Sequence, residues 1–182
     1  MHPDAEKLLA EYPNINMVEA LITDCNGAAR GKWLPIGKLS SLLTEGIKLP
    51  KSAIAQDAWG RDVPSIALDN GDIDGWCQAI PGSLKPVLGS HGVDQAQVVL
   101  TMFKDNGSPL LSDPRQVLAY VTQALDAKGL YPRVAIELEF NLFDRQTAGQ
   151  SIRDALPKAH QTGGNLYGLT ALDEHQALLE AL

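Results

Sequence analysis

The sequence predicts an α+β protein, and three observations carry that expectation. Stretches with period-two apolar patterning come early and follow one another, at residues 15–24, 28–36 and 97–103. The clearest helical pattern, residues 113–129, follows those stretches and does not alternate with them. Apolar residues make up 45% of the 182, enough to close a core, and no low-complexity tract argues for disorder.

Each element has its own signal. Asp4 is placed to cap a short helix that Pro13 stops. "INMVEALITD" then reads as a strand, "CNG" as a turn and "AARGKWLPI" as the return strand. Residues 37–45 read as helical, with Leu39, Leu42 and Leu43 on one side. From Pro50 to Gly92 the abundance of Gly, Pro and Asp predicts short strands and long loops. "QVVLTMFKDNGSPLL" reads as a strand, an Asn106–Gly107 turn and a short return.

"DPRQVLAYVTQALDAKG" carries a full set of helix signals. Asp113 stands at the N-cap, Pro114 at N1 and Gln116 at the capping-box position, with Gly129 as the left-handed stop. Val117, Leu118, Val121, Ala124 and Leu125 then form one apolar stripe, expected to be buried. "RVAIELEFNLFD" is expected to be a strand with Val134, Ile136, Leu138, Phe140 and Leu142 on one face and Glu137 and Glu139 on the other. A polar loop over 145–165 leads to a last helix starting at Asp173, with Asp173 and Gln176 as its box. That helix reaches Leu182 with its apolar stripe open, which reads as a chain cut short.

The bulk numbers exclude several functions. A net charge of −7 and a pI of about 5.0 have the wrong sign for nucleic acid or an anionic membrane. No apolar run approaches the roughly 18 residues of a bilayer span. The first residues lack a cationic n-region, and Cys25 and Cys77 have no metal-type spacing. The expectation is a cytoplasmic protein with reduced thiols.

Most motif-like stretches fail on spacing. Asn70, Asp72, Asp74 and Gly75 occupy positions 1, 3, 5 and 6 of a calcium loop, but position 12 is Pro81. "GAARGKW" has the wrong glycine spacing for a phosphate-binding loop, and "TGGNLYG" is too short for a dinucleotide fingerprint. His2, His91, His160 and His175 share no zinc spacing, and His175 is placed in a helix's first turn, facing solvent. Glu137 and Glu139 remain. Like charges one pleat apart, about 6.5–7 Å along a strand, repel unless solvent or a cation screens them. Three readings stand: a solvated face, hard oxygen ligands for Mg²⁺ or Mn²⁺, or a general acid and base.

Several segments, in order, resemble the glutamine synthetase family. "TDCNGAARGKWLP" resembles its "D-x-x-G-x-x-R-G-K" hairpin. "KDNGSPLLSDPRQVL" resembles its "G-x-P-x-x-x-D-P-R-x-x-L" junction, and "AIELEFNLFD" its "G-x-E-x-E-F-F-L-F-D" strand. The resemblance implies a small β-grasp-like N-terminal domain over 1–112 and the truncated start of a catalytic α/β domain over 113–182. It implies an ATP-dependent ligase that joins glutamate to an amine through a γ-glutamyl phosphate, with Mg²⁺ or Mn²⁺ held in part by Glu137 and Glu139.

The resemblance also implies a homo-oligomer in which an N-terminal aspartate completes the neighbouring subunit's amine site. In "AIAQDAWGRD", set against the family's "F-D-G-S-S", that aspartate is Asp57, but the two serines are absent and Ala58 and Trp59 follow instead, which favours an amine larger than ammonia. Tyr167 falls within about a residue of a family tyrosine near the amine pocket. With "GNLYGLTALDEHQALLEAL", these features are most similar to the glutamate–putrescine ligase branch. Glutamine synthetase proper, using ammonia, and a non-catalytic assembly module are the alternatives, with a calcium- or polyol-binding module behind them. With one ligand for each of two metals, the chain by itself is expected to be inactive.

Overall fold

The computed structural model describes residues 1–67, 71–89, 92–139 and 169–181, in two compact units, Met1–Pro132 and Arg133–Leu182. The first unit is built on a six-stranded mixed sheet. Its strands are β1 (Met17–Thr23), β2 (Ala29–Pro35), β3 (Ile47–Pro50), β4 (Asp74–Ala79), β5 (Lys85–Gly89) and β6 (Gly92–Phe103). The order is β2-β1-β6-β4-β3, with β5 also pairing with β6. β1 and β6 run parallel at the centre, and every other pairing is antiparallel.

Period-two patterning sets which face closes. Val18, Ala20 and Ile22 of β1 are buried together with Ala96, Val98, Leu100 and Met102 of β6. Two helices supply the facing layer: α1 (Pro3–Glu11) contributes Ala5 and Leu8, and α2 (Leu39–Glu45) contributes Leu39 and Leu42, with Leu43 half-buried. Residues 36–38 and 51–54 form single 3₁₀ turns, and a short helix, α3, spans Pro64–Ala67. The β1–β2 hairpin closes so tightly that a Cβ at Gly31 would lie 1.9 Å from the Ala20 carbonyl oxygen. Only glycine fits there.

The junction after β6 follows the sequence signals closely. Residues 104–107 turn the chain, and the short return is a single bridge between Phe103 and Pro109. α4 (Pro114–Asp126) starts at the Asp113 cap. It ends in a Schellman pair, with Gly129 N–H on the Asp126 carbonyl and Leu130 N–H on that of Leu125, around Gly129 at φ 69°.

Five expectations need correction. The cap of α1 is His2, whose Nδ1 accepts the Asp4 N–H. Pro3 takes N1, so Asp4 lies inside the first turn. Gln116 does not close a capping box, because the Asp113 N–H is taken by the Leu110 carbonyl at 2.9 Å, and the Gln116 amide instead donates to Thr101 Oγ1 on β6 at 2.9 Å. The α4 stripe is open: Val117, Leu118 and Val121 are 42%, 61% and 47% exposed, and Gln116 is the buried residue of that helix. Val134–Glu139 form no strand, since alternation alone supplies no partner for the backbone N–H and C=O groups, and Glu137 and Glu139 stand exposed on irregular chain. The final helix begins at Leu169 and breaks at His175, giving α5 (Leu169–Glu174) and α6 (Gln176–Ala181). Asp173 therefore lies within α5, and His175 is half-buried in the break.

Candidate active site

The turn between β1 and β2 is organised by one carboxylate. Asp24 is buried, and its Oδ1 accepts the backbone N–H groups of Asn26 and Ala28, both at 2.9 Å. Its Oδ2 accepts from Arg30 Nε at 3.0 Å. Burial works against the charged form, yet the bonds from Ala28, Arg30 and Asn26 together outweigh it and hold the carboxyl below its ordinary range. The Asp and Arg of "D-x-x-G-x-x-R" are thus partners across a turn.

That turn touches two other loops. Asn26 Nδ2 donates to the carbonyl oxygens of Gln56 and Asp57, each at 3.1 Å. Cys25 Sγ lies 3.7 Å from the Ser112 carbonyl oxygen, immediately before the α4 cap. The 56–62 loop is a small hairpin of its own, with a Gln56–Asp62 bridge and Asp57 N–H on the Arg61 carbonyl at 2.8 Å. Asp57 is half-buried there. Its Oδ1 accepts the N–H groups of Trp59 and Arg61 at 2.8 and 2.9 Å. Both bonds fall on Oδ1, so Oδ2 is left for a partner from outside. Two residues on, Trp59 is 82% exposed. A carboxylate beside an exposed indole offers charge and an apolar surface to an alkylammonium group.

The third loop is the junction into α4. Asp113 is 2% exposed and accepts three bonds, from Thr101 Oγ1 at 2.9 Å, Met102 N–H at 2.7 Å and Arg115 N–H at 2.8 Å. One carboxylate therefore caps the helix and fixes it to β6. Cys77 of β4 is fully buried; burial, and next the charge of Asp113, push its thiol up to about 12. It is a packing residue.

Glu137 and Glu139 belong to the other unit. Their carboxylates have the hard oxygen donors that Mg²⁺ or Mn²⁺ takes, but among the described residues no three acidic, histidine or cysteine side chains converge as a metal set. The ligand set is incomplete. Tyr167 and Asn70 lie outside the described residues. Asp72 accepts from Ser52 N and Oγ at 3.3 and 2.9 Å, an ordinary loop tether. Among the described residues no helix is long and apolar enough to cross a membrane.

Sequence reasoning missed Asn26 and the triple role of Asp113. "CNG" announces a turn, but what its carboxamide holds lies 30 residues away. No local pattern encodes that.

Known proteins resemble this chain in sequence and in fold. Residues 111–182 match the family described as glutamine synthetase, catalytic domain. Gamma-glutamylputrescine synthetase PuuA of Escherichia coli K12 is 39% identical over 145 residues, 79% of this chain, which spans 30% of that relative's length. Among solved structures, a GmaS/ADP complex aligns over 70% of this chain and 26% of its own at TM-score 0.54 and 20% identity. A structure titled a novel glutamine synthase homolog aligns over 63% and 27% at TM-score 0.54 and 19% identity. At that identity the structures speak for the fold. The sequence matches go further, and the chain belongs to the glutamine synthetase family.

Proposed function

We propose that the chain is the front part of an ATP-dependent glutamate–amine ligase whose amine is putrescine or a similar alkylamine. The observation that carries this is the 39% identity over 145 residues to a protein named gamma-glutamylputrescine synthetase. In the proposed reaction the glutamate γ-carboxylate attacks the terminal phosphorus of ATP and releases ADP. The deprotonated amine then attacks the acyl carbon of the γ-glutamyl phosphate and expels phosphate, forming the amide. Asp57 binds the incoming ammonium through Oδ2 and takes its proton. Trp59, where the family has a small residue, faces the alkyl chain. Tyr167 borders the same amine.

Glu137 and Glu139 would hold Mg²⁺ or Mn²⁺. Such ions, when bound, neutralise charge building on the transferred phosphoryl group. Because the described ligand set is incomplete, the chain by itself gives no amide when supplied with ATP, glutamate and putrescine. Residues 1–112 act as a β-grasp-like domain that serves a neighbouring copy, and 113–182 as the start of the catalytic domain.

Reading the coding frame past Leu182 tests the assignment. A second acidic ligand segment and an "N-G-S-G"-like loop are expected, and the polypeptide so encoded should favour putrescine over ammonia. A stop codon directly after Leu182 would overturn the ligase reading in favour of an assembly module.

A further inference from the structure

The tip of the β1–β2 hairpin reaches the loop that carries Asp57. Asp57 is not held by a regular element. Its loop, 56–62, leaves the buried Ile54–Ala55 anchor, turns at Gly60 and returns to Val63, whose N–H bonds the Ala55 carbonyl at 2.9 Å. Inside that loop the bonds are self-contained: they shape the turn but do not fix where it points. The tether from outside comes from Asn26. Its single carboxamide nitrogen donates to two consecutive carbonyls, those of Gln56 and Asp57, at 3.1 Å each. Bonding both ends of one peptide step restrains its tilt as well as its distance.

Asn26 can do this because its own backbone is fixed. Its N–H is held by Asp24 Oδ1, Asp24 is held by Arg30, and the turn is closed by Asp24 N–H on the Ala28 carbonyl and Gly27 N–H on that of Asp24. The chain of support runs from the buried Asp24 carboxylate and its half-exposed Arg30 partner through one turn to one side chain to the Asp57 backbone. Asn26 itself adds nothing to the core, since it is exposed.

We propose that Asn26 is a positioning residue for the amine site, its carboxamide setting the 56–62 loop so that Asp57 Oδ2 and the Trp59 indole face the same ammonium-bearing substrate. The proposal rests on the amine-ligase reading of Asp57, and its ligand class is an alkyl diamine such as putrescine.

Two substitutions separate this role from a general one. Asn26→Ala removes both donors. Asn26→Asp keeps the shape and the backbone N–H bond but sets an oxygen against two carbonyl oxygens, so it should loosen the loop at least as much. The measurement is amide hydrogen exchange by NMR on the full 182-residue chain, joined to a putrescine titration at constant ionic strength that follows the Trp59 indole N–H. The expected result is exchange about tenfold faster at Trp59 and Arg61 in both variants, unchanged exchange at Val98 and Leu100, and a putrescine response weakened about tenfold or lost.

Unchanged exchange at Trp59 and Arg61 would overturn the proposal. Faster exchange with an unchanged putrescine response would overturn it too, by showing that Asn26 merely shapes the loop. A wild-type chain that gives no indole response to putrescine while both variants loosen the loop is a different failure. It would refute the amine role of Asp57, and with it the positioning role, while the clamp itself stood.

Discussion

Asp24 is the residue on which the candidate site depends most, although it touches no substrate in the proposed reaction. Its charge is favoured in the folded state over the unfolded one, because three donors converge on a buried carboxylate. The folded value lies below the unfolded value. The stability it contributes is therefore complete above the ordinary carboxylate range and is lost as pH falls through the depressed folded value. Urea midpoints measured downward from about pH 6 should fall in the wild type, and Asp24→Asn should show a shallower fall from a lower starting point. The two thiols offer a second check at this scale. Cys25 is exposed, while Cys77 is buried with its thiol pushed up to about 12. Alkylation at about pH 8 should modify Cys25 alone in the folded chain and both thiols after denaturation. Equal labelling rates in the native protein would contradict the packing of β4.

Among the elements, α4 shows both what sequence conveys and what it withholds. Its cap, first-turn proline and glycine stop are local chemistry, so all three could be read from "DPRQVLAYVTQALDAKG" and all three stand in the structure. The direction of its stripe is tertiary, and there the reading failed: Leu118 is 61% exposed while the polar Gln116 is buried against Thr101. Periodicity says that a face is apolar, not that a neighbour covers it. The same reason undid the 134–139 strand, whose alternation is clear but does not by itself supply a pairing partner. The family resemblance alone singles out Asp57, whereas the Asn26 tether to its loop spans 30 and 31 residues and has no local signature. Two substitutions follow from this view of α4. Asp113→Ala strips the partner from the buried Met102 N–H and removes the cap together, so it should cost about 2–4 kcal/mol in denaturant unfolding. Leu118→Gln, on the open stripe, should change stability by less than about 0.5 kcal/mol. A large loss for Leu118→Gln would mean that the stripe is covered in solution.

At the scale of the whole molecule, the buried apolar packing among the described residues is concentrated in the first compact unit. Every residue of the buried cluster lies between Ala5 and Leu110, on β1, β3, β4, β6, α1, α2 and the segments joining them. Asp113 and the Schellman stop then fasten and finish α4, and the first compact unit closes at Pro132. Among the described residues the apolar contacts that drive cooperative unfolding therefore belong to residues 1–132. Val134–Glu139 are exposed and add no core to it. A chain ending at Pro132 should accordingly unfold in one cooperative transition, with a thermal midpoint within about 4 °C of the 182-residue chain, a shift that corresponds to less than about 1 kcal/mol in a domain of this size. Its Asn26–Asp57 tether should show the same exchange protection as in the longer chain. Loss of the cooperative transition would mean that residues 133–182 stabilise the sheet.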